Sequence, residues 1–310
     1  MKILHVVPGH DELANGIAVA AKLITGEQKA DLVEARFFAR GRYDLSGYDE
    51  VWVHSAWLPI VLFSSIWALK SGKRFIRMAH ANYDPVRLRY HGWKKWLVGP
   101  IERFFLRRAD VVVATCEAER EWILKYEPRV KKVELIDIKR FFDLNHAECV
   151  DRVDGRALHL LYLGRRHPLK GIEYLEEAVR RLELGVESLE LGVQSRGAKA
   201  NSDNSRLELK IVSDAFGDEK EKVWDWCDVL VLPTLSENFG LVVAEALEKG
   251  KRVITTDGAP AWGEGLEMNE HGSSIRTGYG GRLLYLTGYR DGTNEDRVRL
   301  LKTAITEVCK

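Results

Sequence analysis

The stretch that most restricts the fold runs from Asp228 to Gly258, DVLVLPTLSENFGLVVAEALEKGKRVITTDG. It divides into an apolar run, Val229 to Leu232, a loop opened by Pro233, a helical pattern from about Phe239 to Lys249, and a second apolar run, Val253 to Thr256. Two short apolar strands joined through a helix make a βαβ unit. Ser236, Glu237, Asn238, Phe239 and Gly240 stand where the helix begins, so backbone N–H groups without helical partners and the positive helix end meet whatever sits there. Such a start suits a phosphate. Glu237 in the loop and Glu245 two turns into the helix, with seven residues between them, add two carboxylates that can accept from hydroxyl groups. A diphosphate joined to polyols fits this arrangement.

The same alternation extends over the chain. Strand candidates are Ile3 to Val7, Glu50 to Val53, Arg74 to Met78, Asp110 to Ala114 and Lys132 to Ile136, with helical patterns between them at Ile17 to Ile24 and Ala118 to Lys125. This predicts a parallel sheet covered on both faces. From Phe141 to Gly155 the pattern lapses into polar residues, which marks a linker. A second series follows: strand Leu158 to Leu163, helix Ile172 to Leu182, strand Leu207 to Val212, helix Glu219 to Trp226, and the βαβ unit. Ser188 to Asn204 has no clean period. The expected fold class is α/β, with two Rossmann-like doubly wound domains facing each other across a cleft, residues 1–145 and 156–290, and a terminal helix within 291–310. In open α/β sheets ligands bind beyond the carboxyl ends of the strands, where the candidate residues lie.

Composition narrows the function. The 310 residues suffice for two cores, and Lys+Arg 47 against Asp+Glu 46 leaves a formal charge of +1, which gives nucleic acid no global field to follow. Cys116, Cys149, Cys227 and Cys309 form no close pair, so neither a disulfide framework nor a zinc site is expected. Met1-Lys2 lead straight into the first strand candidate, no run is apolar enough to span a bilayer, and a reducing cytoplasm is the expected location.

Pro233-Thr-Leu-Ser-Glu-Asn-Phe-Gly240, Glu245-Ala246-Leu247, Gly250 and Val253-Ile-Thr-Thr256 resemble the signature of family 4 of the retaining nucleotide-sugar glycosyltransferases, which have the GT-B fold. Leu163-Gly-Arg-Arg-His-Pro-Leu-Lys-Gly171 resembles that family's diphosphate-binding segment. The resemblance implies that Arg165 and Lys170 stabilise the leaving nucleoside diphosphate, that Glu237 contacts donor sugar hydroxyls, and that Glu245 contacts the ribose. Gly164, Asn238, Phe239, Gly240 and Leu241 would complete the donor site, which the resemblance puts in residues 156–290, with residues 1–145 on the acceptor side. No Asp-x-Asp occurs, so a metal-dependent mechanism gains no support, and neither a metal nor a further cofactor is expected. A helix cap with a solvated carboxylate, or an ordinary basic loop, would be the bland alternatives. The chain departs from the family pattern at Arg252, read as an exposed turn position, at Ala259 to Glu264, and between Leu191 and Ile211.

Three features lie in the first half. Pro8 to Ile17 resembles the family's N-terminal glycine loop, with Gly16 near the donor phosphate or the acceptor. His80, just past a strand, matches a histidine of the family and would face the sugar, while His54 at an earlier strand end is a lesser candidate. Residues 87–108 carry seven basic residues against Glu102, with Tyr90, Trp93, Trp96, Phe104 and Phe105 among them. That mixture suits an anionic membrane surface, although the same aromatics would equally serve as core. The implied partners are therefore a nucleotide-sugar donor, a glycan or lipid-linked acceptor of lipopolysaccharide or capsule type, and an anionic membrane at the inner face. Nucleic acid is not among them. The alternatives are a catalytically silent relative that binds a glycan or partner, and a nucleotide-sugar epimerase.

Overall fold

Runs of β-branched and aliphatic residues form the inner strands of two sheets. The computed structural model describes residues 1–9, 16–38, 40, 43–90, 92–144, 157–184, 207–213, 215–266 and 274–309. The chain divides into two units, Met1–Phe141 and Phe142–Lys310. The polar stretch at 145–155 and the unassigned segment 188–204 lie outside the described residues.

In the first unit, β1 (Ile3–Val7), α1 (Gly16–Gln28), β2 (Asp31–Glu34), α2 (Ala35–Phe38), β3 (Glu50–His54), α3 (Pro59–Lys70), β4 (Arg74–Met78), α4 (Pro85–Arg89), α5 (Gly92–Arg108), β5 (Val111–Ala114), α6 (Glu117–Tyr126) and β6 (Val133–Leu135) follow one another. The strands pair in parallel in the order β2-β1-β3-β4-β5-β6. Strands β1, β3 and β5 are buried along their whole length, because helices cover both faces. Sequence patterning places five of these strands but omits β2, whose sequence Asp-Leu-Val-Glu is short and polar at both ends, as an edge strand tolerates.

The second unit runs β7 (Leu158–Leu163), α7 (Ile172–Glu183), β8 (Leu207–Val212), α8 (Gly217–Trp226), β9 (Val229–Leu232), α9 (Leu241–Glu248), β10 (Arg252–Thr256), β11 (Ile275–Gly278), β12 (Leu283–Leu286) and α10 (Asn294–Cys309). Its sheet order is β11-β12-β10-β9-β7-β8, parallel except for β11. The antiparallel β11 and its partner β12 are absent from the sequence reading.

Two expectations change. Helix α9 starts at Leu241, two residues after Phe239, because Phe239 packs inward and Gly240 takes a left-handed conformation with φ 74°. Arg252 is the first residue of β10 and donates to the carbonyl of Val308 at 3.0 Å, so it ties the sheet to the end of α10. Helix α10 lies on α7 of its own unit, through the Arg181–Glu295 ion pair and a hydrogen bond from Tyr174 Oη to Asn294 Oδ1 at 3.1 Å.

Candidate functional site

The second unit brings most of the candidate residues to the carboxyl ends of β7 and β9. Three loops meet there at main-chain distance. Leu235 N–H donates to the carbonyl of Leu169 at 2.9 Å, and Glu237 N–H donates to that of Gly258 at 2.7 Å. A Cβ on Gly258 would lie 2.0 Å from the Thr234 carbonyl oxygen, and one on Gly171 2.2 Å from that of Pro233. Only glycine fits at these two contacts. The loops after β7, β9 and β10 are thereby held as one surface.

On that surface Lys170 Nζ forms an ion pair with Glu237 Oε2, both side chains being largely buried. Lys170 ends a short 3₁₀ turn, Pro168–Lys170, capped by His167, which accepts from Leu169 N–H at 3.1 Å. Arg165 is exposed next to Gly164, and among the described residues its guanidinium has no ion pair. Its own carbonyl accepts from Tyr162 Oη at 3.0 Å. Burial raises the Tyr162 hydroxyl pKa, and the negative charge of Glu237 raises it further.

Asn238, Gly240 and Leu241 lie at the start of α9, where Val243 N–H donates to the carbonyl of the capping Gly240 at 2.8 Å and the N–H groups before it have no carbonyl partner within the helix. The ring of Phe239 is core: it is 2% exposed, with its centroid 5.0 Å from Trp262 and 6.4 Å from Phe142. Trp262 Nε1 donates to the Phe239 carbonyl and braces the loop from below. Any contact from Phe239 to a ligand therefore falls to its main chain. Glu245, one turn on, pairs with Lys220 of α8 at 2.7 Å. Lys220 and Trp262 carry no motif, and sequence reading gives neither a role.

In the first unit, Gly16 opens α1, and the preceding loop 10–15 lies outside the described residues. His80 follows β4 with φ 54°, and Ala81 follows with φ 57°. Two successive non-glycine residues in the left-handed region cost of order 1–3 kcal/mol each and mark sites where surrounding structure holds them. Buried Glu119 does this, accepting from Ala81 N–H and, through its other oxygen, from Thr115 N–H and Oγ1 at 2.8 Å. Burial raises the Glu119 pKa, and these hydrogen bonds oppose the rise.

His80 also heads a row of buried imidazoles. His54 Nδ1 is 2.9 Å from His80 Nε2, His5 Nδ1 is 2.8 Å from His54 Nε2, and His5 Nε2 is 2.8 Å from Gln28 Oε1. The rings meet edge to edge in sequence and do not converge on a point. Among the described residues no cluster of His, Cys, Asp or Glu could hold a metal ion.

Helix α5 is fixed by a buried pair. Arg77 of β4 meets Glu102, which also accepts from Tyr83 Oη, and Arg77 donates to Ser65 Oγ at 3.0 Å. This anchors one face through Glu102, Phe105 and Leu106, and leaves Trp93 66%, Trp96 80% and Leu97 62% exposed. A pocket of about 580 Å³ opens beside the helix, lined by Trp57, Trp96 and Tyr126 together with Lys95, Arg103 and Arg107. Of the aromatics in 87–108, then, Phe105 is core while Tyr90, Trp93, Trp96 and Phe104 are exposed.

Residues 6–137 match the family described as glycosyl transferase 4-like domain, and residues 157–279 match glycosyl transferases group 1. The chain belongs to the group 1 glycosyltransferases. No curated protein sequence matches this glycosyltransferase. Its fold is similar to that of a sucrose-phosphate synthase from Thermosynechococcus elongatus, with 14% identity, TM-score 0.62, and 100% and 90% of the two chains covered. A trehalose-6-phosphate synthase is similar at 11% identity, TM-score 0.55, and 98% and 90% coverage. The lipopolysaccharide outer core galactosyltransferase WaaB is similar at 13% identity, TM-score 0.53, and 100% and 92% coverage. At these identities the likeness shows the GT-B fold, with its two Rossmann-like domains.

The imidazole row of this glycosyltransferase makes its stability depend on pH. Burial lowers the pKa of His5 from 6.5 to about 4 and that of His80 to about 3, and takes His54 well below 6.5. In the unfolded chain these groups titrate near 6.5, so on acidification the unfolded state takes up protons that the folded state refuses. Stability is full above about pH 6.5 and falls as pH drops toward 4, His5 alone accounting for about 3 kcal/mol over that range. Urea unfolding at pH 7.5 and pH 5 checks this. The expected loss shrinks in His5→Asn, and equal stability at the two pH values would contradict it.

Proposed function

We propose that the chain is a retaining, metal-independent glycosyltransferase that moves a hexosyl group from a nucleoside-diphosphate sugar to a glycan or lipid-linked acceptor. The observation that carries this reading is the union of Arg165, Lys170 and Glu237 at the ends of two strands beside the start of α9. As the bond from the sugar's anomeric carbon to the diphosphate oxygen breaks, its electron pair leaves with the diphosphate. Arg165, a planar fork, and Lys170, a point charge, would stabilise that growing negative charge, with the N–H groups at the α9 start adding a fixed dipole. Lys170 would be shared between phosphate and Glu237, keeping the Glu237 carboxylate turned toward the sugar hydroxyls. Glu245 would accept from the ribose, in exchange with Lys220. The acceptor hydroxyl would attack from the face the diphosphate leaves, passing its proton to the departing phosphate oxygen. No protein nucleophile is needed.

Support also comes from the similar proteins, whose names include two sugar-phosphate synthases, one described in terms of glycosyl transfer with retention, and a lipopolysaccharide galactosyltransferase. Proton NMR of the first product formed tests the stereochemistry. The expected anomeric configuration is that of the donor, activity is expected to persist in EDTA, and Arg165→Ala is expected to lower kcat/KM roughly 10²- to 10³-fold. An inverted product, or activity abolished by chelation, would overturn the reading.

Contact with an anionic membrane through residues 87–108 belongs to the same proposal and would hold the protein at the inner face. Among the described residues no helix is long and apolar enough to cross a membrane. Exposed Trp93, Trp96 and Leu97, flanked by Lys94, Lys95, Arg103 and Arg108, suit the interface, where aromatic rings and cations both find partners. The pocket with Lys95, Arg103 and Arg107 suits an acceptor's anionic head group. Vesicles with anionic lipid at low salt should retain the wild-type protein, and the pair Trp93→Ser and Trp96→Ser should weaken retention roughly tenfold or more. Wild-type protein that stays in solution would remove this part.

A further inference from the structure

Lys170 and Arg165 are placed by different means. Lys170 is largely buried and is held by its ion pair with Glu237. Arg165 is exposed, and among the described residues no carboxylate pairs with its guanidinium, whereas its neighbour Arg166 pairs with Glu176 at 4.0 Å. A long exposed side chain is directed only as well as its Cα is fixed, because any freedom of the main chain adds to that of its rotamers. What fixes the Arg165 main chain therefore decides where its planar fork can reach.

That main chain is tied at two successive residues. Leu163 stands in register with Val212 of β8, Gly164 N–H extends the ladder by donating to the Val212 carbonyl at 2.9 Å, and Ser213 Oγ donates to the Gly164 carbonyl at 3.2 Å. The next tie comes from a side chain: Tyr162 Oη donates to the Arg165 carbonyl at 3.0 Å. Tyr162 is 0% exposed, and its phenol lies against Gly164, where a Cβ would stand 3.4 Å from Oη and 3.7 Å from Cζ. Burial, and then the charge of Glu237, keeps the phenol protonated, so the hydroxyl remains a donor at neutral pH. The ring alone would fill its place in β7. A buried hydroxyl is unfavourable unless it is bonded, so the oxygen is accounted for by the carbonyl it meets.

We infer that Tyr162 is a positioning residue whose hydroxyl holds the Arg165 main chain, so that the guanidinium meets the leaving diphosphate from a fixed pivot. The inference rests on the reading of Arg165 as a diphosphate-binding residue. It adds a member that carries no charge and no exposed surface, and that stands one residue ahead of the segment Leu163 to Gly171. Its effect runs through Arg165. Lys170, held by Glu237, has no need of it.

Tyr162→Phe keeps the ring and removes the donor alone, and two measurements read its effect. Trypsin cuts after an exposed arginine only when the main chain around it opens. In the ligand-free protein, cleavage after Arg165 or Arg166 is therefore expected to run roughly three- to tenfold faster in Tyr162→Phe, with the rates at other sites unchanged. In steady-state turnover of a nucleotide sugar, Tyr162→Phe is expected to lower kcat/KM roughly three- to tenfold in the wild-type background, and by less than about twofold in Arg165→Ala. A hydroxyl that only supports the fold would lower kcat/KM by the same factor in both backgrounds. That additivity would overturn the inference, as would an unchanged kcat/KM in Tyr162→Phe, or cleavage after Arg165 and Arg166 at the wild-type rate. If the wild-type protein turns over no nucleotide sugar, the proposed function fails, and the catalytic effect of the Tyr162 hydroxyl fails with it. The trypsin rates would still decide whether the hydroxyl holds the loop.

Discussion

The second unit of this protein depends on how closely three backbones approach at the carboxyl ends of β7, β9 and β10. Gly171 and Gly258 allow main-chain contacts that any side chain would block, at 2.2 and 2.0 Å from the carbonyl oxygens of Pro233 and Thr234. With those contacts made, Leu235 and Glu237 bond across the loops, and Lys170 meets Glu237 at a fixed place. A pair of flexible charged side chains on independent loops would pay rotamer entropy for each encounter. Here the glycine contacts hold the loops, so only the side-chain rotamers remain to be ordered.

The first unit is arranged by a different constraint, the burial of groups that water would otherwise solvate. Arg77 and Glu102 face each other at 0% exposure, and this fixes which side of α5 is inside. A pair so buried leaves an uncompensated charge if either member is removed, so it specifies the helix's orientation strongly. The outward side of α5 then carries tryptophans and cations together. The histidine row obeys the same rule: each ring is buried because each nitrogen that faces a neighbour has a partner.

Much of this was legible in the chain. Central strands are largely apolar runs, and β1, β4, β7 and β9 stand at the limits that patterning assigns them, as does the edge strand β8. The residues gathered after β7 and β9 were also readable, since glycine, charge and helix start lie close in sequence. The edge strands β2 and β11 were not. β2 has two apolar residues, and β11 is antiparallel, an arrangement that nothing in Ile275 to Gly278 announces. The histidine row was invisible for a geometric reason: His5, His54 and His80 are far apart in sequence, and only the order β1-β3-β4 makes them neighbours. Phe239 misled in the opposite way, because its place in a recognisable motif says nothing about a ring that turns into the core.

The account turns on whether the surface around Arg165, Lys170 and Glu237 holds a nucleoside diphosphate. Thermal unfolding against a panel of nucleoside diphosphates and their sugars addresses this directly. A ligand at a hundred times its Kd adds about 2.7 kcal/mol, enough to move the Tm of a chain this size by a few degrees. The account predicts such a shift for at least one base in the wild type and its loss in Arg165→Ala. No shift with any nucleotide, or an undiminished shift in Arg165→Ala, would contradict it.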